Sequence, residues 1–394
     1  LAQSLFCVAP LKAHFLSGAH CARVCHARRA ARSAAAAAAS CLACELDGAF
    51  QAAFRPSNAP QPTALRAASR SARAPWSPHA LLAAWWTHAE SLASYQQQDA
   101  HEFLISLIAG AHAAVSRGAG GGLLRSASGV GSPMGSPCAG GGEASTPGGG
   151  SVANLAAWAP EDCGCALHST FGGILRSDVT CGSCGAISTA FDPFVDVSLE
   201  LLPEGTSAQT STSLGACLRR FSRDERLGST ERITCRHCGG PQPGSKQMCV
   251  QRLPPALCLH IKRFSHSAVK QASHKVQTHV AFPLDVLDMG PFTAASLLHA
   301  RAGHRVCAPA RPDDVAPSAA QLDARYWLVA VVCHLGSIEG GHYVAYVRHA
   351  SCWFKCDDSW VTQVEACEVA ASQAYLLFYQ AHAITAQAPD EREF

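Results

Sequence analysis

The sequence predicts an α+β fold in which helices come first and an antiparallel sheet region follows, with a cysteine-bearing projection. Three observations carry this. In LLAAWWTHAESLASYQQQDAHEFLISLIAGAH (81–112) apolar residues recur at helical spacing, with Phe103, Leu104, Leu107 and Ile108 sharing a face. From Phe171 onward the pattern changes to short alternating runs rich in β-branched and aromatic residues. Among those runs sit two C-x-x-C pairs, Cys181/Cys184 and Cys235/Cys238.

Taken in order, LAQSLFCVAPLKAHFL (1–16) reads as a helix that Pro10 ends or kinks. A cysteine and histidine cluster follows, interrupted by ARRAARSAAAAAAS (27–40), whose bias marks a loop expansion despite alanine's helix propensity. The helical run 81–112 is next. Residues 117–160 form a Gly/Ser-rich insertion with too little apolar surface to order itself. Strands are then expected at GGILRSDVTC, STAFDPFVDVSLEL, ALCLHIKRF, HVAFPLDV, YWLVAVVCHLG, GHYVAYV, CWFKCDD and AYLLFYQ. A second insertion, rich in Pro, Ala and Gly, interrupts them near residues 290–322. The expected organisation is a helical part over 1–116, the insertion, a sheet-bearing part over 161–382 and a tail over 383–394.

Bulk composition excludes some function classes. The net charge of the 394 residues is +2, too small a field to recruit nucleic acid or an anionic membrane. No segment reaches the ~18 apolar residues that a membrane span needs. Twenty cysteines accompany 19 histidines, and many fall as C-x-C or C-x-x-C, which favours metal over disulfides. No secretory pattern opens the chain, so the expectation is a zinc-bearing soluble protein of a reducing compartment.

Cys181, Cys184, Cys235 and Cys238 are the strongest metal candidates. Each pair makes a tight knuckle offering two corners of a zinc tetrahedron, and four thiolates leave no open position, so this zinc is structural. A second set, His112 with Cys163, Cys165 and His168, brackets the Gly/Ser insertion and supplies two nitrogens and two sulfurs. The third comprises His20, Cys25 or Cys21, Cys41 and Cys44. A zinc ribbon that binds nucleic acid would show clustered Lys and Arg, whereas here the knuckles are flanked by GS, GA and GG.

GGHYVAYVRHASCWFKCDDSW (340–360) reads as a hairpin. With its loop at about 348–351, residue 346 faces 353 and His342 faces Asp357, Cβ atoms ~5 Å apart. A carboxylate at that separation can accept the Nδ1 proton of the imidazole. A one-residue slip would bring in Asp358 instead. Gly340 and Gly341 leave room for a backbone to approach the histidine. Such a pair implies a Ser or Cys nucleophile distant in sequence; the bland alternative is a solvated surface hairpin.

These residues, with YQQQDAHEFL (95–104), CLHIKRF (258–264), VAFPL (280–284) and the two knuckles, resemble the catalytic domain of the ubiquitin-specific proteases, in family order over nearly the whole chain. The resemblance implies a papain-like cysteine hydrolase with a helical thumb, an antiparallel β palm and zinc-bearing fingers. It makes His342 the general base, Asp357 its orienting carboxylate and Asp358 a neighbouring polar support. Asp99, Tyr343 and Gly341 would bind the ubiquitin tail, and the four cysteines would hold the fingers zinc. SDVTC, FDPFVDVSLEL, CLRRF and CWFKCDD look most like the SAGA-complex histone deubiquitinases. That resemblance implies a nuclear protein, a multiprotein complex, and ubiquitin or a ubiquitylated protein, a histone among the possibilities, as partner.

In the family the nucleophile sits in an N-T-C box, expected about five residues before Leu1. It is not among these 394 residues, so the chain as given is expected to be inactive. Cys7 lies along the helix rather than at its start, where the dipole would favour a thiolate. Cys333, Cys352 and Cys356 read as core thiols. The alternative is a non-catalytic ubiquitin-binding or adaptor module on the same fold, although such a module does not require His342 and Asp357.

Overall fold

The computed structural model describes residues 1–17, 41–54, 77–93, 97–119, 165–201, 211–228, 231–267, 272–302, 324–338 and 340–382. The first apolar run forms two helices, α1 (Ala2–Phe6) and α2 (Ala9–Leu16), broken at Cys7–Val8. Pro10 occupies the first turn of α2, where a missing N–H breaks no helical bond. It therefore begins a helix instead of ending one. The layer continues with α3 (Leu42–Phe54), α4 (His79–Trp86) and α5 (Ala100–Ala119). The run 81–112 is thus divided, with a 3-10 turn at Glu90–Leu92 before the break. Asp99 causes the restart. Its Oδ1 accepts the backbone N–H groups of His101 at 2.7 Å and Glu102 at 3.2 Å, capping α5. A short helix, α6 (Ala166–Phe171), follows.

Strands β1 (Gly173–Cys181), β2 (Ile187–Phe194), β3 (Val197–Glu200) and β4 (Ser211–Ser213) lead to α7 (Leu214–Phe221). Next come β5 (Glu225–Arg226), β6 (Ile233–Cys235), β7 (Gly240–Gln242), β8 (Gly244–Arg252) and β9 (Ala256–Lys262). β10 (Phe264–Ser267), β11 (Ala272–Lys275), β12 (His279–Ala281) and β13 (Val286–Asp288) precede α8 (Ala294–Ala302). The chain then runs through β14 (Arg325–Gly336), β15 (Gly341–His349), β16 (Cys352–Asp357), β17 (Trp360–Val364), α9 (Ala366–Ala371) and β18 (Ala374–Ala381).

An eight-stranded sheet has the order β17-β16-β15-β14-β18-β9-β3, with β13 also paired to β14. A separate four-stranded sheet has the order β2-β1-β8-β5, and β6 with β7 forms a small hairpin. Two runs expected as single strands are split between sheets. STAFDPFVDVSLEL breaks at Val195–Asp196, with β2 antiparallel to β1 and β3 parallel to β9. HVAFPLDV divides around Pro283, which lacks a ladder donor, so that β12 pairs with β4 and β13 with β14. Residues 290–302, expected within an insertion, form a 3-10 turn and α8. Arg301 of α8 donates to Asp178 of β1 at 2.9 Å, anchoring the helix. Residues 120–164 and 303–323 lie outside the described residues.

The middle strands of the eight-stranded sheet are buried on both faces. Leu11, Phe50, Trp85, Leu104 and Ile108 cover Ala330, Val332 and Phe378 on the helical face. Leu199, Leu259, Val331, Leu377 and Tyr379 form a second core on the other face, together with Leu214 and Leu218 of α7. Phe378 and Tyr379 illustrate the period of two: neighbours in sequence, they enter opposite cores. A bulge between Leu328 and Ala330 resets that parity, which puts Leu328 in the same core as Val331. Each large side chain so buried stabilises the fold by about 1.5–3 kcal/mol relative to exposure. This two-sided core holds β15 and β16 rigidly at one end of the sheet.

Candidate active site and metal-ligand clusters

The β15–β16 hairpin closes through Ala350–Ser351, with His349 paired to Cys352. Tyr346 therefore faces Lys355 and Arg348 faces Trp353, two residues away from the expected pairing. Ala350, with φ 51°, permits the tighter turn. A two-residue displacement keeps every side chain on its face, so His342 and Asp357 become diagonal neighbours and still meet. The His342 Nε2 and Asp357 Oδ1 atoms are 2.6 Å apart. The ring nitrogen engaged is thus Nε2, not the Nδ1 that direct pairing suggested. Asp358 follows in the left-handed region, φ 50°, its carboxylate within 4.8 Å of the other two groups.

Gly341, next to His342, is fixed from two sides. The Gln97 amide donates to Gly341 O at 2.8 Å and accepts from Gly341 N at 2.9 Å, closing a two-point clamp between the loop before α5 and β15. A Cβ on Gly341 would stand 2.0 Å from His334 Nε2, so the space its side chain leaves is filled by this chain's own imidazole. At Gly340 a Cβ would meet nothing within 4 Å. Gln97 and His334 were not singled out from sequence; position in the QQQD run was the one available signal for Gln97.

Asp99 divides its carboxylate between two tasks. One oxygen caps α5, and the other accepts the Tyr375 hydroxyl at 2.5 Å. Burial, followed by the charge of Asp99, pushes the Tyr375 phenol far above its ordinary range. Tyr343 accepts the Ala100 N–H at 3.3 Å, and burial raises its pKa to about 12. Asp99 and Tyr375 border a cleft of about 260 Å³ lined also by His101, Glu102, His260, Lys262 and Phe264. Beneath it, His101 Nε2 lies 3.0 Å from Asp196 Oδ2, and Ser198 bridges Asp196 to His260 Nδ1 at 3.0 and 2.8 Å. Burial alone would raise the Asp196 carboxyl, but His101 and Ser198 outweigh it and hold the group below its ordinary value. The His101 and His260 rings stack at 3.9 Å. Burial, then the charge of His101, lowers His260 to about 4.

Cys181, Cys184, Cys235 and Cys238 come together at the ends of β1 and β6. The Cys181–Cys238 and Cys184–Cys235 sulfurs are 3.9 and 3.7 Å apart, and all four lie within 4.8 Å. A tetrahedron with ~2.3 Å metal–sulfur bonds has edges of about 3.8 Å, so the donor set fits zinc. Gly185 and Gly239, both at φ 73°, close the two knuckles in a backbone conformation that favours glycine. The backbone N–H of Cys184 pulls the Cys181 thiol down to about 7.

His112, Cys165 and His168 form a second group, their ligand atoms within 4.8 Å of one another. The Cys165 sulfur caps α6 by accepting the His168 N–H at 3.4 Å. Cys163, expected to complete this set, lies outside the described residues, as do His20, Cys21 and Cys25. Of the third set, Cys41 immediately precedes α3 and Cys44 lies buried in its first turn.

Of the cysteines weighed as nucleophiles, Cys7, Cys333 and Cys356 lack activation. Cys7 ends α1, its thiol donating to Gln3 O at 3.4 Å, at the wrong end of the helix dipole. Burial pushes Cys333 to about 11 and raises Cys356.

Residues 1–379 match the family described as ubiquitin carboxyl-terminal hydrolase. Ubiquitin C-terminal hydrolase 22 of Arabidopsis thaliana is 33% identical over 409 residues, covering all of this chain and 63% of that protein. Ubiquitin carboxyl-terminal hydrolase 22 of Homo sapiens is 36% identical over 358 residues, covering 86% of this chain and 57% of that protein. The chain thus spans about three fifths of the length of these curated relatives. Among solved structures, a SAGA DUB module of Ubp8, Sgf11, Sus1 and Sgf73 bound to monoubiquitin superposes with a TM-score of 0.65 at 26% identity. That match covers 97% of this chain and 65% of the other.

Proposed function

The chain belongs to the ubiquitin carboxyl-terminal hydrolase family, and from that premise we propose that it forms the catalytic body of a cysteine-type deubiquitinase. The observation that carries this reading is the 2.6 Å contact of His342 Nε2 with Asp357, on a strand whose Gly341 is clamped by Gln97, two residues before the Asp99 that borders the cleft. Asp357 fixes the tautomer, so that Nδ1 is the nitrogen that takes a proton from the nucleophilic thiol. The thiolate attacks the carbonyl carbon of the ubiquitin C-terminal glycine. The tetrahedral intermediate collapses to an acyl-enzyme as His342 returns the proton to the departing lysine amine. Water, deprotonated by His342, then releases ubiquitin.

The nucleophile in this reading precedes Leu1. Consistent with that, α1 begins against the sheet beside Cys356, the neighbour of Asp357. Asp99, Tyr343 and Gly341 shape the channel for the ubiquitin tail, whose terminal glycines suit a narrow passage. Cys181, Cys184, Cys235 and Cys238 would hold a structural zinc, which when bound rigidifies the knuckles and takes no part in the chemistry. The likeness to a SAGA module bound to ubiquitin supports a nuclear protein in a multiprotein complex, with a ubiquitylated histone as a candidate substrate.

The test is hydrolysis of a fluorogenic C-terminal amide of ubiquitin by the full-length protein. His342→Ala is expected to lower kcat/KM by about 10²- to 10⁴-fold. A full-length protein that binds ubiquitin but shows no His342-dependent hydrolysis would establish the non-catalytic alternative instead.

A further inference from the structure

The end of the sheet carries a feature that the hydrolysis itself does not require. Leu335 is the direct cross-strand partner of His342, and Trp360 is the direct partner of Asp357. Direct partners point to the same face. Leu335, His342, Asp357 and Trp360 therefore form one staggered row on a single face across β14, β15, β16 and β17, with a diagonal step between His342 and Asp357. Trp360 is the most exposed large apolar side chain among the described residues, at 76%, and Leu335 is 43% exposed. Single exposed apolar residues are ordinary on a protein surface. A nearly bare indole in register with the candidate dyad is a different matter. It is held there by a two-residue turn, Asp358–Ser359, in which Asp358 takes the left-handed conformation.

Strand order gives the row a direction. The cleft is lined by His260 of β9 and Tyr375 of β18, and β17 lies at the opposite edge of the same sheet. The dyad on β15 and β16 stands between them. The row lies on the face of the second core, in phase with Val344 and Trp353, whereas Tyr375 of the cleft packs in the helical core. A bond held at the dyad with the ubiquitin tail in that cleft therefore has its other half, the lysine and the chain bearing it, on the side of Trp360. This argument rests on the ubiquitin reading above. We propose that Trp360 is a specificity-determining contact for the ubiquitylated polypeptide, gripping it on the leaving-group side of the isopeptide bond. An indole suits this role, since its flat face covers the lysine methylenes and its N–H can donate to a peptide carbonyl.

The experiment compares two probes on the 394-residue chain: free ubiquitin, and ubiquitin joined through a hydrolysis-resistant isopeptide mimic to a lysine in a short peptide. Wild type should bind the conjugate about fivefold or more tightly than ubiquitin alone. Trp360→Ala should abolish that difference while leaving the affinity for free ubiquitin unchanged, and Trp360→Phe should retain most of it. Conjugate affinity untouched by Trp360→Ala, or an equal loss for both probes, would overturn the proposal and leave the ubiquitin reading standing. Failure of wild type to bind free ubiquitin would overturn both.

Discussion

His342 and Asp357 are close to half exposed, with 45% and 41% of their side chains accessible, and an exposed side-chain contact alone positions an imidazole weakly. Here the backbone supplies the rigidity: Gln97 clamps Gly341, His334 fills the space beside it, and the tight hairpin sets the diagonal approach of the two side chains. His260 shows a different residue-scale effect. Its ordinary value is 6.5, and burial lowers it to about 4. Between those values the unfolded chain takes up a proton that the folded chain refuses. Stability is therefore full above pH 6.5 and declines as the pH falls toward about 4. Thermal denaturation across that range should show a falling melting temperature, and His260→Gln should flatten the decline; an unchanged slope would contradict the assignment. The pairing of His342 with Asp357 was legible in the sequence because period-two alternation survives a two-residue error in register. The engaged nitrogen was not, since it depends on the hairpin register that the Ala350–Ser351 turn sets, and the Gln97 clamp was not, since it joins residues 244 apart.

At the scale of elements, the cysteine knuckles make the sharpest prediction. Cys235→Ser should reduce zinc content by about one ion per chain and lower the melting temperature, read by elemental analysis and calorimetry. An unchanged metal content would contradict the site. The knuckles were readable because C-x-x-C spacing is a local constraint. Helix boundaries were harder. The run 81–112 keeps apolar residues at helical spacing on both sides of its break, and Asp99, which the resemblance singled out for the ubiquitin tail, gave no separate signal of the cap it forms. Pro10 was misplaced for a related reason, because a proline in a first turn and one that ends a helix look alike until the cap is seen. The division of STAFDPFVDVSLEL at Asp196 was equally hidden. Its alternation continues across a joint that only the partner strands define.

For the molecule as a whole, one sheet carries three features in its strand order: the cleft at β9 and β18, the His342–Asp357 pair at β15 and β16, and the exposed indole at β17. The helical layer covers one face of that sheet and brings Asp99 and Gln97 from a single loop to both the cleft and the dyad. The fold class was legible from the change of periodicity alone, whereas the strand order that gives the row its direction was not, because β18 inserts between β14 and β9 from the end of the chain. The central claim is that this body activates a cysteine preceding Leu1 for attack on the ubiquitin C-terminus. Its most direct test treats the full-length protein with ubiquitin bearing a C-terminal vinyl sulfone and maps the modified residue by mass spectrometry, with and without His342→Ala. The account predicts a single thioether, formed by conjugate addition of the thiolate of a cysteine upstream of Leu1, and strongly diminished in the variant. Modification of a cysteine within residues 1–394, or a yield indifferent to His342, would contradict it.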